Sequence, residues 1–215
     1  MVRRFQRAVT VLGTLPIALA ACGKKTSANT HDARDSPPAA ARDRAASITG
    51  FLEVPFGATR QQVIARLGQP RIEVSWREMG TSLSYPPRTL FDEQAEPNLV
   101  VHPREGLVQG NYLVRVYDFR RSCEVVYRQL AEAVIARYPR IKPEQKRSQE
   151  GAGRFCDAVL DGRASALTKL ADPANGATVR VIVQPGRPYI DVIYVSAVGQ
   201  RINDAMSERE LRKNF

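Results

Sequence analysis

Three cysteines, two histidines and a stretch rich in arginine and lysine are the residues of this chain with the widest chemical reach. Neither His31 nor His102 has a histidine or cysteine partner at metal-ligand spacing, so a solvated His31 and a surface His102 are the expectation. The sequence holds no Gly-x-Ser-x-Gly nucleophile elbow and no phosphate-cradling Gly-x-x-x-x-Gly-Lys run. Asp157 with Asp161, and Asp92 with Glu93, are the carboxylate pairs conceivable for acid/base work, but both sit in turns where carboxylates are ordinarily solvated. Cys123 would be an activated thiol if free at a helix N-terminus, yet the only histidines are the two already placed elsewhere. The reading is a protein that is not an enzyme and carries no cofactor and no metal.

The basic stretch holds Arg140, Lys142, Lys146, Arg147 and Arg154 against Glu144 and Glu150. It is either a contact for an anionic partner, such as acidic lipid, lipopolysaccharide or an acidic protein face, or a solvated loop. It has none of the aromatic interleaving by which single-stranded nucleic acid is held, so no nucleic-acid partner is expected. The whole chain of 215 residues carries a net charge of +10, with 43% hydrophobic and 25% charged residues. That apolar fraction is too high for wholesale disorder, and three cysteines are too few for a disulfide-dense miniprotein.

The N-terminus explains part of the charge. Arg3, Arg4 and Arg7 precede the apolar run Ala8 to Ala20, which Gly13 and Pro16 interrupt. This run is shorter than the roughly 20 residues needed to cross a hydrocarbon core of about 30 Å, and it reads as a signal-peptide core. Leu19-Ala20-Ala21-Cys22 follows, and it resembles the lipobox of bacterial lipoprotein precursors. The resemblance implies cleavage after residue 21 and acylation of Cys22, and several acyl chains anchor a protein where one holds it only marginally. Gly23 is not the Asp that commonly retains such lipoproteins in the inner membrane, so the resemblance implies an outer-membrane anchor with the folded domain in the periplasm. Loss of the three leader arginines leaves the mature chain at +7.

From residue 23 to 47 the sequence has no aromatic and no large aliphatic side chain, and it contains Pro37-Pro38. It reads as a flexible tether of about 25 residues with a root-mean-square reach of roughly 25–30 Å. Its alanines could alternatively start a short helix, though isolated helices of this length are marginal in water.

With Cys22 assigned to lipid, Cys123 and Cys156 remain. An even number in an oxidising compartment favours a disulfide over two buried free thiols. A bridge spanning 33 residues contributes roughly 3.5–4 kcal/mol by chain entropy. Cys156 is expected in a strand, so the bond would staple a helix to a sheet.

The elements that position these residues begin at Ile48. Thr59 and Gln62 form a capping box for a short helix ending at Leu67, with Gly68 at its left-handed end and Pro70 beyond. The pattern Gly57-x-Thr59-x-x-x-Val63-x-x-x-Leu67-Gly68-x-Pro70 resembles the signature of the SmpA/OmlA (BamE-like) outer-membrane lipoproteins, a family of small α/β envelope domains. The chain then continues with a long helix and further strands beyond that family's small domain.

Ile72, Val74 and Trp76 alternate as a strand. Gly80 to Arg104 reads as a long loop with a short strand near Leu99 to Val101, and Tyr112 to Phe119 as a strand. Ser122 is expected to cap a helix from Cys123 to about Tyr138, and Phe155 to Leu160 is read as a strand closed by Asp161-Gly162. Ala166 to Leu170 is either strand or helix. Thr178 to Gln184 and Tyr189 to Ser196 form a hairpin. Residues 199–215 are either a tail or a short helix after Ser207.

This order predicts an α+β domain over residues 48–198: an antiparallel sheet with two helices packed on one face. The functional expectation is a non-catalytic outer-membrane lipoprotein that binds an envelope component or protein partner. An inhibitor or immunity-type module presenting the Gly80 to Arg104 loop is the alternative, with a periplasmic hydrolase behind it.

Overall fold

In the computed structural model, residues 47–76 and 79–213 are described. The signal peptide, Cys22, His31 and the tether up to residue 46 lie outside them. Two short strands, β1 (Gly50–Phe51) and β2 (Val54–Pro55), form a hairpin. Helix α1 (Arg60–Leu67) follows, and its capping box is formed: the Thr59 N–H donates to Gln62 Oε1 at 2.8 Å and the Gln62 N–H to Thr59 Oγ1 at 3.3 Å. Gly68 ends it at φ +84°, ψ −173°, a backbone conformation open to little besides glycine.

A nine-stranded, fully antiparallel sheet then builds from β3 (Ile72–Trp76), β4 (Gly80–Ser84), β5 (Arg88–Leu90), β6 (Glu93–His102), β7 (Gly106–Arg115), β8 (Glu144–Gln149), β9 (Ala164–Ala171), β10 (Thr178–Val183) and β11 (Tyr189–Val195). Its order is β3-β4-β6-β7-β11-β10-β9-β8, with β5 also paired to β6. Each half is a meander that starts at a sheet edge and runs inward, and the two meet where β7 pairs with β11, Val192 opposite Tyr112. A helix precedes each meander: α1 the first, and α2 (Phe119–Arg137) the second. The topology is thus two helix-then-strands blocks joined side by side.

Strand alternation sorts the side chains onto two faces. Leu83, Leu99, Val114, Ile190, Val181 and Leu170 point to one, where all are fully buried beneath α1, α2 and the short α3 (Phe155–Leu160). The C-terminal helix α4 (Ala197–Lys213) lies on the other: Asn203 Nδ2 donates to Gln109 Oε1 at 3.3 Å, and Gly199 packs on Val195 and the Val108 carbonyl. The α+β antiparallel architecture is as expected, with three helices rather than two on the principal face. Among the described residues no helix is long and apolar enough to cross a membrane.

Several local readings are corrected. Phe155 to Leu160 is a helix: its buried positions 155, 156, 158 and 159 fit one helical face, and over six residues an apolar run does not distinguish helix from strand. The segment from Gly80 to Arg104 is three strands, not a protruding loop. Its central β6 contains Pro97, whose carbonyl accepts from the Tyr85 N–H and so faces the gap where β4 gives way to β5. The missing N–H of proline falls where no strand needs it. The helix α2 starts at Phe119, placing Ser122 inside it, and the preceding strand is Gly106–Arg115. Residues 144–149 of the supposed basic loop form β8, the ambiguous 166–170 segment lies in strand β9, and α4 begins at Ala197 rather than after Ser207.

Ile48, the first buried side chain among the described residues, is held on both sides of its peptide. Its N–H donates to Asp172 Oδ2 at 2.9 Å, and its carbonyl accepts from Asn175 Nδ2 at 3.1 Å.

Cys123 and Cys156 are bonded, with Cα atoms 5.8 Å apart. Because Cys156 belongs to α3, the bridge joins two helices rather than a helix and a strand.

Candidate functional site

Strand β3 is a sheet edge. Among the described residues no strand pairs with its outer side, so a row of backbone N–H and C=O groups faces outward. The alternation in Ile72-Glu73-Val74-Ser75-Trp76 places Ile72, Val74 and Trp76 on one face, 52%, 44% and 58% exposed respectively. Their partners on β4 are Ser84, Ser82 and Gly80, all small. The three apolar side chains therefore form a ridge beside a shallow trough. The trough is polar, with Ser82 and Ser84 both donating to Asn98 Oδ1 at 2.8 and 3.2 Å. At the Ile72 end it deepens into a cavity of about 230 Å³ bounded by Arg71, Tyr85, Glu96, Asn111 and Leu113.

The strand is positioned from its opposite face. Glu73 accepts two hydrogen bonds from Arg60, the first residue of α1, at 2.9 and 2.6 Å. Those bonds hold the Glu73 carboxyl below the usual carboxylate range and raise the Arg60 guanidinium. The capped helix thus fixes the edge strand without covering its ridge.

The basic residues named from the sequence are not brought together. Adjacent in β8, Lys146 and Arg147 point to opposite faces. Lys146 pairs with Glu144 at 2.7 Å, whereas Arg147 donates to Glu124 of α2 at 2.7 Å and lies 4.1 Å over the Phe155 ring. Arg154 and Arg120 converge on Asp157, at 2.9 and 2.8 Å, and hold its carboxyl below the usual range. Arg140 also has a partner, and Lys142 is exposed. Most of the set is engaged in local ion pairs, and Arg147 ties β8 to α2.

The other sequence candidates are likewise structural. His102 Nδ1 accepts from the Arg104 and Glu105 N–H groups, both at 3.3 Å, and so shapes the β6–β7 turn. Asp161 pairs with Arg163, and Glu93 accepts from the Tyr117 N–H. What the sequence did not single out is the ridge. Alternation identifies a strand, but which face finds a helix to cover it is decided by residues far away.

An exposed edge with alternating apolar side chains is suited to one operation: adding a strand through main-chain hydrogen bonds, with the ridge and the trough selecting alternate side chains of the incoming segment. Comparison with protein families, with curated proteins and with solved structures finds no match for this chain.

Proposed function

We propose that this protein is a non-catalytic, lipid-anchored protein of the outer membrane, and that its periplasmic domain binds an extended segment of an envelope protein along β3. The anchor is argued from the leader arginines, the apolar run and Leu19-Ala20-Ala21-Cys22. The disulfide between Cys123 and Cys156 supports an oxidising compartment.

The observation that carries the binding mode is the unguarded β3 edge. Natural sheets blunt their edges with charge, proline, bulges or covering elements, because an open apolar edge invites pairing. Here a tryptophan, a valine and an isoleucine stand in line on an edge where, among the described residues, the one charge is Glu73, turned to the other face and engaged by Arg60. The anchor would confine the domain to the membrane surface, where the edge meets neighbouring envelope proteins at high effective concentration.

Two measurements test the two parts separately. A photo-crosslinking residue at Ser75 should capture a defined envelope protein, and the same residue at Gln145 on β8 should not; equal capture at both edges, or none at Ser75, overturns the binding mode. For the anchor, Cys22→Ala should release the protein from the membrane fraction, and a variant that stays there overturns it.

A further inference from the structure

A second feature lies on the helix-covered face, at the seam where the two meanders join. There a cavity of about 400 Å³ opens between the ends of α1 and α2. Its floor includes Tyr112 of β7 and Tyr194 of β11. Phe51 closes one side, its ring 4.8 Å from Tyr112 and 5.4 Å from Tyr194. Phe51 fits only because residue 110 is glycine: a Cβ there would come within 2.3 Å of the ring.

Three guanidinium groups line this cavity: Arg66, Arg88 and Arg137. They reach it from the last turn of α1, from the start of β5 and from the last turn of α2. Arg66 and Arg137 hold corresponding places in the two halves, each in the final turn of the helix that introduces its meander. One carboxylate lines the same space. Glu53 stands 4.0 Å from Arg66, with both side chains more than half exposed, so the pair neutralises little. Among the described residues no carboxylate lies within ion-pair distance of Arg88 or Arg137. Both of these arginines line the cavity together with Tyr112, and Arg137 also lies 5.8 Å over the Tyr138 ring.

Burial raises the Tyr112 and Tyr194 hydroxyls above their ordinary values, which keeps them neutral. The cavity therefore offers three guanidinium forks against aromatic walls with a single, weakly engaged acid. Guanidinium forks match the oxygen geometry of phosphate in a bidentate manner, and a space of this size holds a phosphate together with an attached organic group.

We propose that the seam cavity binds a phosphate ester: Arg66, Arg88 and Arg137 grip the phosphate, and the attached group lies against Phe51 and Tyr112. This site is distinct from the β3 edge and stands whether or not that edge binds a partner. The ester could be a soluble metabolite or a phospholipid headgroup.

The test is titration of the full chain with three probes: inorganic phosphate, glycerol phosphate, and phosphatidylcholine vesicles with and without phosphatidylglycerol. Glycerol phosphate should bind more tightly than inorganic phosphate, and Arg88→Gln with Arg137→Gln should weaken it at least tenfold, whereas Arg187→Gln, outside the cavity, should not. Binding confined to the phosphatidylglycerol vesicles, lost in the same double variant, supports the headgroup as the source. No binding by any probe, or binding that the double variant retains, overturns the proposal. If the double variant does not fold, the wild-type protein still decides the matter: the bound ester must protect Arg88 and Arg137 from phenylglyoxal, read by peptide mass, and unprotected arginines under saturating ester overturn it.

Discussion

The two edges of the sheet have been given opposite treatments. At β8 the sequence Glu-Gln-Lys-Arg-Ser-Gln is polar at every position, Arg147 ties the strand to α2, and the helices behind it are joined covalently through Cys123 and Cys156. At β3 the sequence alternates apolar and polar residues, all five are exposed, and the Arg60–Glu73 pair is its one ion pair to a helix among the described residues. Each of the two strands starts a meander at a sheet edge, so topology does not account for the contrast. One edge is closed to pairing by charge, and the other is left open.

The largest perturbation should fall on the closed side. Replacing Cys123 and Cys156 together with serine should lower global stability by about 3–4 kcal/mol. Amide exchange should show β8 and β9 losing protection toward the level of β3 and β4. A double variant whose β8 amides stay fully protected would mean that the staple is not what separates the two halves.

The open edge can be closed in turn. Val74→Lys should abolish crosslinking from Ser75 and weaken partner binding at least tenfold. Thermal unfolding should move little, since exposed substitutions of this kind ordinarily shift stability by no more than about 0.5 kcal/mol. Carrying the ridge to the other edge is the reciprocal change. Glu144→Ile, Lys146→Val and Ser148→Trp combined should produce concentration-dependent association in sedimentation, and a monomeric triple variant would argue that the β3 ridge lacks the pairing property assigned to it.

Asp191 lies between the edges on the α4 face, and burial pushes its carboxyl above the usual aspartate range against the opposing pull of Arg187. A raised folded-state value means that the carboxyl favours the fold fully only below the unfolded value of about 3.9, and that this contribution is lost as pH rises through the folded one. Asp191→Asn should therefore raise the thermal midpoint at neutral pH, with the gain fading in acid, while the difference in exchange between the edges persists.

The smallest effect is expected from Glu73→Gln. It removes the charge that Arg60 holds, so β3 amides should exchange slightly faster at low salt, and added salt should erase the difference from wild type.

Local grammar was the most legible part of the sequence. Thr59, Gln62 and Gly68 cap α1 as their types require, and the Thr178–Val183 and Tyr189–Val195 hairpin follows from two β-branched runs around Pro-Gly. What was hidden depended on partners distant in sequence. Ala95 and Pro97 are poor strand formers, and they enter β6 because β7 pairs along its length and because the gap between β4 and β5 tolerates a missing N–H. The six residues around Cys156 were too few to reveal their period. Neither site was legible. The ridge becomes one only because nothing among the described residues covers it, and Arg66, Arg88 and Arg137 are separated by most of a meander and a helix before the fold sets them around one cavity.

The clamp on Ile48 has a mechanical consequence. Any pull on the chain that precedes it enters the domain through two hydrogen bonds to the β9–β10 turn, at Asp172 and Asn175, in the half of the sheet that the disulfide reinforces. The β3 edge belongs to the other half. Tension on that preceding chain would be borne by the stapled meander, and the β3 edge would stay unloaded.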